Sequence, residues 1–147
     1  MIRQIQHQTQ PTGNTCVCTC IAMLTGKPAQ EVVDKWHDLY YSHHEPLMNI
    51  LEEEGLRVER HYSAGSASLL SGKLYLITVP SLNIEGSLHQ VLVDWRDEAA
   101  GPVCLDPAKG LPDRKYYTLS EDEWDDVTEA RLLTSWILDF TIKGWKE

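Results

Sequence analysis

Cysteines near the N-terminus are the first residues of this sequence that could do chemistry. Cys16, Cys18 and Cys20 follow a C-x-C-x-C pattern, and a fourth cysteine, Cys104, lies far downstream. On a strand, the three clustered thiols would share one face and could hold a metal ion. On a helix, Cys16 and Cys20 share a face and Cys18 lies nearly opposite. The apolar spacing and the glycine at Gly26 favour a short, buried helix.

Cys16 is the strongest candidate for a nucleophile. Asn14 and Thr15 are plausible N-caps, which places Cys16 in the first helical turn. Unpaired backbone N–H groups and the positive end of the helix dipole stabilise a negatively charged sulfur at this position. Cys18 and Cys20 lie deeper in the helix, and we interpret them as structural. Nucleophilic catalysis also requires a base, a group that orients the base, and an oxyanion donor.

His89 is the candidate base. It lies at the start of an apolar strand that we predict from Leu88 to Trp95. Alternation with period two places its side chain on the same face as Val91 and Val93. These valines should face the core, so His89 is expected to point inward at the end of the strand, where it could meet a helix N-terminus.

Asp106 and Gln10 are the candidate partners. Asp106 follows a short return strand, and counting outward from the hairpin turn pairs position 89 with about position 107, so the carboxylate should lie beside His89. Asp94 is an alternative partner, but alternation places it on the opposite face of its strand. Gln10 precedes Cys16 by six residues. A turn between the two would bring its amide beside the sulfur as an oxyanion donor, together with the Cys16 backbone N–H.

The other elements predict an α+β fold in a single domain over residues 1–147, with helices first and strands later. The further helices are expected at 28–40 and 45–54, and the further strands at 56–62, 73–79, 102–105 and from about 135. Ser120, with Glu123 three residues later, matches a capping box and predicts another capped segment. Residues 43–44 are two histidines with Tyr40 and Tyr41 nearby, and we favour a polar turn between helices over the alternative of a substrate rim. Residues 52–54, three glutamates, are interpreted as a solvated helix end, and Cys104 as a core residue.

Composition narrows the class of protein. The 147 residues are 42% hydrophobic and 24% charged, as expected of a globular domain with a core. A net charge of −9 argues against a nucleic-acid partner or an anionic membrane surface. The sequence has no export signal and no apolar run long enough to cross a bilayer. We therefore expect a cytoplasmic protein with reduced cysteines.

Two segments of the chain resemble a known family. Gln10, Cys16 and the run from Cys20 to Gly26 resemble the N-terminal motif of C39-type bacteriocin-processing peptidases, a branch of the papain-like cysteine peptidases. A histidine that opens an apolar strand, followed by an Asp-Pro pair, is the family's downstream motif, and His89 and Asp106 stand in such positions. The resemblance covers Gln10 to Gly26 and His89 to Gly110 well, and the rest of the chain weakly.

The resemblance implies a papain-like α+β fold, with a Cys-bearing helix packed on an antiparallel sheet. It implies that Cys16 is the nucleophile, His89 the general base, Asp106 the orienting group and Gln10 the oxyanion donor. Val17 stands where the family usually has glycine after the catalytic cysteine. The chain also lacks the membrane segment and transporter ATPase to which the bacteriocin peptidases are normally fused, so it resembles a stand-alone member, and cleavage after a double-glycine leader does not carry over.

The expected function is hydrolysis of a peptide or isopeptide amide in a protein or peptide substrate, through a Cys-His-Asp triad and without a cofactor or metal. Glutamine deamidation is an alternative because it uses the same groups on a different amide. A catalytically silent protein-binding module on the same fold is a second alternative. A thiol-rich metal binder is a third, and it requires the cysteine segment to be a strand or loop rather than a helix.

Overall fold

A computed structural model of the protein describes residues 2–62, 67–123 and 129–147. The helices are α1 (Cys16–Thr25), α2 (Ala29–Tyr41) and α3 (Leu47–Glu53). The strands are β1 (Leu56–Arg60), β2 (Leu74–Pro80), β3 (Leu88–Asp94), β4 (Val103–Leu105), β5 (Tyr116–Thr118), β6 (Ala130–Leu132) and β7 (Ile137–Trp145). The predicted order of helices followed by strands is therefore confirmed.

Five strands form one antiparallel sheet in the order β1-β7-β2-β3-β4. The C-terminal strand β7 lies inside the sheet, between β1 and β2. The prediction that the ambiguous tail is a strand is confirmed, with β7 beginning at Ile137 rather than near residue 135. Strands β5 and β6 form a separate parallel pair that the sequence pattern did not predict.

Helix α1 is the centre of the larger hydrophobic core. Every residue from Cys16 to Leu24 is buried, as the apolar pattern predicted. The helix ends at Gly26, which has a positive φ of 75° and donates its backbone N–H to the Ala22 carbonyl. Helix α2 packs against α1 through Val32 and Trp36. Within the described ranges, no helix is long and apolar enough to cross a membrane.

The sheet separates two apolar clusters. Leu76, Leu92 and Phe140 face the core around α1, and their sequence neighbours Ile77 and Val91 face a second core on the other side. This is the alternation expected of strands covered on both faces. The chain is thus an α+β protein with its N-terminal helix packed on an antiparallel sheet.

A β-bulge interrupts the regular alternation in β7. Leu76 pairs with Phe140 and the next residue, Ile77, pairs with Leu138, so Asp139 is an extra residue opposite β2. The bulge allows Leu138 and Phe140 to face opposite cores although they are two residues apart. It also places a carboxylate inside the sheet region, where apolar residues are the rule.

The predicted N-cap position of α1 is confirmed, but the hydrogen bonds expected of the two predicted caps are not found among the described residues. Thr15 is the N-cap residue of α1, but its hydroxyl donates to the Thr12 carbonyl and accepts from the Thr12 N–H, so it does not cap the helix. At the predicted capping box, the Glu123 carboxylate accepts hydrogen bonds from the Tyr116 hydroxyl and Thr118 rather than from the Ser120 backbone. The continuation of that segment, residues 124–128, lies outside the described residues.

The interpretation of the glutamate run as solvated was wrong for Glu54. Its side chain is only 1% exposed and joins α2 to the end of α3. The carboxylate accepts hydrogen bonds from Lys27 Nζ at 2.8 Å, Trp36 Nε1 at 3.0 Å and Lys35 Nζ at 3.3 Å. Burial raises the pKa of Glu54, but these donors outweigh burial and hold the pKa below its usual range.

Candidate active site

The N-terminus of α1 meets the start of β3 at an open edge of the sheet. Strand β4 pairs only with Leu92 to Asp94, so in the described part of the chain no strand pairs with the outer edge of β3 at His89. The Cys20 thiol donates a hydrogen bond to the Gln90 carbonyl at 3.5 Å and fixes α1 against β3. One helical turn earlier on the same face of α1 lies Cys16, and it shares a cavity of about 540 Å³ with His89.

His89 and Asp106 form the closest charged pair of the site. His89 Nε2 lies 2.6 Å from Asp106 Oδ1, and the two side chains are 13% and 1% exposed. In β3 and β4, Leu92 pairs with Leu105, which extrapolates to position 108 opposite His89. The turn-counting prediction of position 107 was therefore one residue off. This error was small enough for the structure to place the two predicted residues side by side.

Backbone amides hold the Asp106 carboxylate in place. Oδ1 accepts the Ala108 N–H at 2.8 Å, and Oδ2 accepts the Tyr117 N–H at 2.7 Å. Asp94, the alternative partner for His89, is instead bound to the Arg96 side chain. Because Asp106 is fixed from both oxygens, it fixes the orientation of the His89 ring in turn, which is the role of the third group in a catalytic triad.

The environment of His89 favours a protonated ring. Burial alone would lower the pKa of His89, but hydrogen bonds and charge interactions with Asp106 and Cys16 raise the pKa to about 10. The ring therefore carries a positive charge at neutral pH. Because Nε2 of His89 is bound to the Asp106 carboxylate, Nδ1 is the ring nitrogen that can interact with the Cys16 thiol.

Gln10 is not among the residues that line the cavity. It is 3% exposed, and its backbone N–H donates to the Pro107 carbonyl at 2.9 Å, which fixes it to the loop that carries Asp106. Its Nε2 donates to the Thr12 carbonyl at 2.7 Å, which leaves one amide hydrogen uncommitted. Within the described part of the chain, its Oε1 is buried without a hydrogen-bond partner.

The remaining cysteines differ from Cys16 in their surroundings. All four thiols are free, but Cys18 and Cys20 are buried inside α1. Burial, together with the neighbouring Cys16, raises the pKa of Cys18 to about 12, and burial raises the pKa values of Cys20 and Cys104 well above the usual range. The described residues contain no group of three or more His, Cys, Asp or Glu side chains placed to hold a metal ion. The metal-binding alternative also required a strand or loop, where the structure has a helix.

Several residues at the cavity belong to the segment for which the sequence favoured a polar turn over a substrate rim. Tyr40, Tyr41 and His43, at the end of α2, line the cavity opposite His89. His43 lies in the predicted interhelical turn, with a positive φ of 62° that is rare outside glycine, and it also faces this cavity. The structure thus places the segment at the cavity, as the substrate-rim alternative had it, because α2 packs on α1. Val17, 6% exposed, also lines the cavity.

Comparisons with protein-family models, curated proteins and solved structures found no match to this chain. A thiol beside a positively charged imidazole, whose other nitrogen is held by a fixed carboxylate, is an arrangement suited to acyl transfer through a thioester.

Proposed function

We propose that this protein is a cysteine hydrolase of papain-like fold that cleaves a peptide or isopeptide amide. The observation that carries the proposal is the position of His89. It lies 2.6 Å from the Asp106 carboxylate and shares an open cavity with the Cys16 thiol. A buried cysteine with only a structural role does not require a positively charged histidine held in this way.

The proposed reaction has two steps. The Cys16 thiolate attacks the amide carbonyl, and the Cys16 backbone N–H and the uncommitted Gln10 amide hydrogen stabilise the resulting oxyanion. His89 gives its proton to the leaving nitrogen, so an amine departs and a thioester remains. Neutral His89 then removes a proton from water, whose oxygen displaces the sulfur. A carboxylic acid is released and the thiolate and imidazolium are restored.

The cavities support a peptide-like substrate. The cavity of about 540 Å³ at Cys16 shares residues Tyr40, His43, Thr78 and Gln90 with a second cavity of about 460 Å³. Together they form a groove long enough for more than one side chain. Glutamine deamidation would need the same catalytic groups, but a single carboxamide side chain would fill only part of this groove.

A catalytically silent binding module is the second candidate function, and Val17 is the observation that favours it. Its branched side chain lines the cavity directly after Cys16, where it restricts the approach of a carbonyl to the Cys16 N–H. In that case the groove would bind a peptide without cleaving it. Substitution Cys16→Ala discriminates the two, since it abolishes hydrolysis but leaves binding of a peptide intact.

The proposal is tested by alkylation of the four cysteines with iodoacetamide as a function of pH, mapped to each residue by mass spectrometry. We expect Cys16 alone to react quickly below pH 8, and His89→Ala to slow that reaction by about tenfold or more. His43→Ala is the matched control, because it removes another histidine of the same cavity, and it should slow the reaction much less. Equal reaction of Cys16 in the wild type and in His89→Ala would overturn the proposal.

A further inference from the structure

The floor of the second cavity is formed by polar side chains and contains a carboxylate. This cavity lies between α3 and the sheet and is bordered by Thr78 and Gln90, with Asp139 from the β7 bulge. Gln90 follows His89 directly and lines both cavities, so the floor of the second cavity begins one residue from the proposed catalytic histidine.

The Asp139 carboxylate is only partly satisfied by its neighbours. Its Oδ2 accepts hydrogen bonds from Thr78 Oγ1 at 2.5 Å and from Gln90 Nε2 at 2.9 Å. In the ranges that the structure describes, no Lys, Arg or His side chain lies within ion-pair distance of it. A partly buried carboxylate without a cation is costly unless something charged or strongly hydrated compensates it.

Gln90 Oε1 is a second acceptor, and the hydrogen bond that the structure shows for it is long. Gln90 is 6% exposed, and its Oε1 lies 3.5 Å from the Thr78 hydroxyl. That hydroxyl has a single proton, which the much shorter contact to Asp139 takes. Gln90 Oε1 therefore remains a nearly buried acceptor in the cavity wall, close to the Asp139 carboxylate.

Three basic side chains, His43, Arg60 and His61, also border this cavity, and among the described residues none of them forms an ion pair with Asp139. The Arg60 guanidinium lies over the Tyr62 ring, 5.0 Å from its centroid. His61 Nε2 is engaged with Thr141 Oγ1 at 2.8 Å. Glu45 on the opposite side adds another carboxylate, which accepts from Asn49. At the floor itself, Asp139 and Gln90 therefore contribute acceptor oxygens, and the Asp139 carboxylate makes the floor negative.

We propose that Asp139 and Gln90 form a specificity pocket for a basic side chain, lysine or arginine, next to the amide that is cleaved. The inference rests on the proposed function for its position relative to the reaction. Asp139 Oδ1 and Gln90 Oε1 accept hydrogen bonds from the ammonium or guanidinium group, and the carboxylate supplies the opposite charge. The net charge of −9 further attracts a cationic peptide.

The first test uses tripeptide chloromethyl ketones that carry lysine or norleucine in turn at each position. The rate of Cys16 alkylation is read by intact-mass spectrometry, with iodoacetamide as the reference reagent. At one position we expect lysine to react about tenfold faster than norleucine. Equal rates at every position would overturn the proposal, without any variant being needed.

Variants of the cavity residues test whether Asp139 causes the preference for lysine. In Asp139→Asn, which has nearly the same shape, the ratio of the lysine to the norleucine rate should fall close to one. Glu45→Gln is the matched control, because it removes another carboxylate of the same cavity, one that is bound to Asn49, and it should retain most of the preference. A preference that survives in Asp139→Asn, or disappears in Glu45→Gln, contradicts the assignment to Asp139.

A binding experiment separates the pocket from catalysis. N-acetyl-lysine N-methylamide is titrated into Cys16→Ala and followed by amide NMR, with the norleucine analogue as control. We expect shifts near Gln90 and Asp139 for the lysine compound alone, and their loss when Asp139→Asn is added. If Cys16 proves unreactive but these shifts occur, the hydrolase proposal fails and the cation pocket stands. Absence of the shifts refutes the pocket whatever the reactivity of Cys16.

Discussion

The Cys20 thiol donates a hydrogen bond to the backbone carbonyl of Gln90, the residue that directly follows His89. Cys16 lies one helical turn before Cys20 on the same face of α1. A single contact between helix and strand therefore sets the position of the proposed nucleophile relative to the proposed base. The spacing of Cys16 and Cys20 has a structural reason as well as a resemblance to a family motif.

Substitution of Cys20 should weaken both stability and the site. Cys20→Ala removes a fully buried sulfur and its hydrogen bond, and we expect a loss of about 1–2 kcal/mol of unfolding free energy. Thermal unfolding should occur about 3–6 °C lower. Cys18→Ala is the matched control, since Cys18 is buried in the same helix and leaves the contact with β3 intact. If the contact positions the site, Cys20→Ala slows alkylation of Cys16 more than Cys18→Ala does; equal effects would contradict this.

Local patterns in the sequence were sufficient to predict much of the site. The apolar run from Cys16 to Leu24 predicted a buried helix, because a helix without a polar face has no side that favours contact with water. Asp106 could be placed near His89 because β3 and β4 are joined by a short connection, which limits the register error to one residue.

Non-local packing could not be predicted in the same way. Strand β7 pairs with β1 and β2, more than fifty residues earlier in the chain, and the sequence contains no turn that fixes such a register. The bulge at Asp139 follows from that pairing, so the second cavity was not foreseen. The prediction for Glu54 was wrong for a similar reason, since Trp36 comes from α2 and Lys27 from the segment between α1 and α2.

The raised pKa of His89 predicts a specific pH dependence of stability. The unfolded ring has a pKa near 6.5 and the folded ring a pKa of about 10, so the folded state binds more protons between these values. Its contribution to stability is complete below pH 6.5 and is lost as pH rises through 10, with a slope of at most about 1.4 kcal/mol per pH unit. Urea unfolding of the wild type at pH 6 to 9 should show this decline.

His89→Gln is the control for the pH prediction. Glutamine can still donate a hydrogen bond to Asp106 but has no proton to lose in this range. The difference in unfolding free energy between the wild type and His89→Gln should therefore shrink steadily from pH 6 to pH 9. A constant difference would show that the folded ring does not hold its proton above pH 6.5.

Glu54 follows α3 and binds side chains of α2, so it should stabilise the packing of these two helices. In the wild type, Trp36 Nε1 donates a hydrogen bond to the buried Glu54 carboxylate. Glu54→Ala removes this acceptor, and we expect the free energy of unfolding to fall by about 2–3 kcal/mol. Glu54→Gln keeps an acceptor and should lower the free energy of unfolding by less.

Stability should also depend on the protonation of Glu54. Because the folded pKa of Glu54 is lowered, the carboxylate's contribution to stability is present above the unfolded pKa of 4.5 and is lost as pH falls through the folded pKa. Chemical denaturation of the three proteins at pH 7 and pH 3.5 measures both effects, and equal losses in the two variants would contradict the role of the Trp36 hydrogen bond.

Two reagents distinguish a role of Gln10 in oxyanion stabilisation from a role in activation of the Cys16 thiol. Acylation of Cys16 by p-nitrophenyl acetate passes through an oxyanion, whereas alkylation by iodoacetamide does not. If the Gln10 amide helps to hold that oxyanion, Gln10→Ala should slow acylation by about a hundredfold and alkylation by less than about threefold. Release of p-nitrophenol and intact mass report the two rates. Parallel slowing of both reactions would show that Gln10 only supports the loop that carries Asp106, to which its backbone is bound at Pro107.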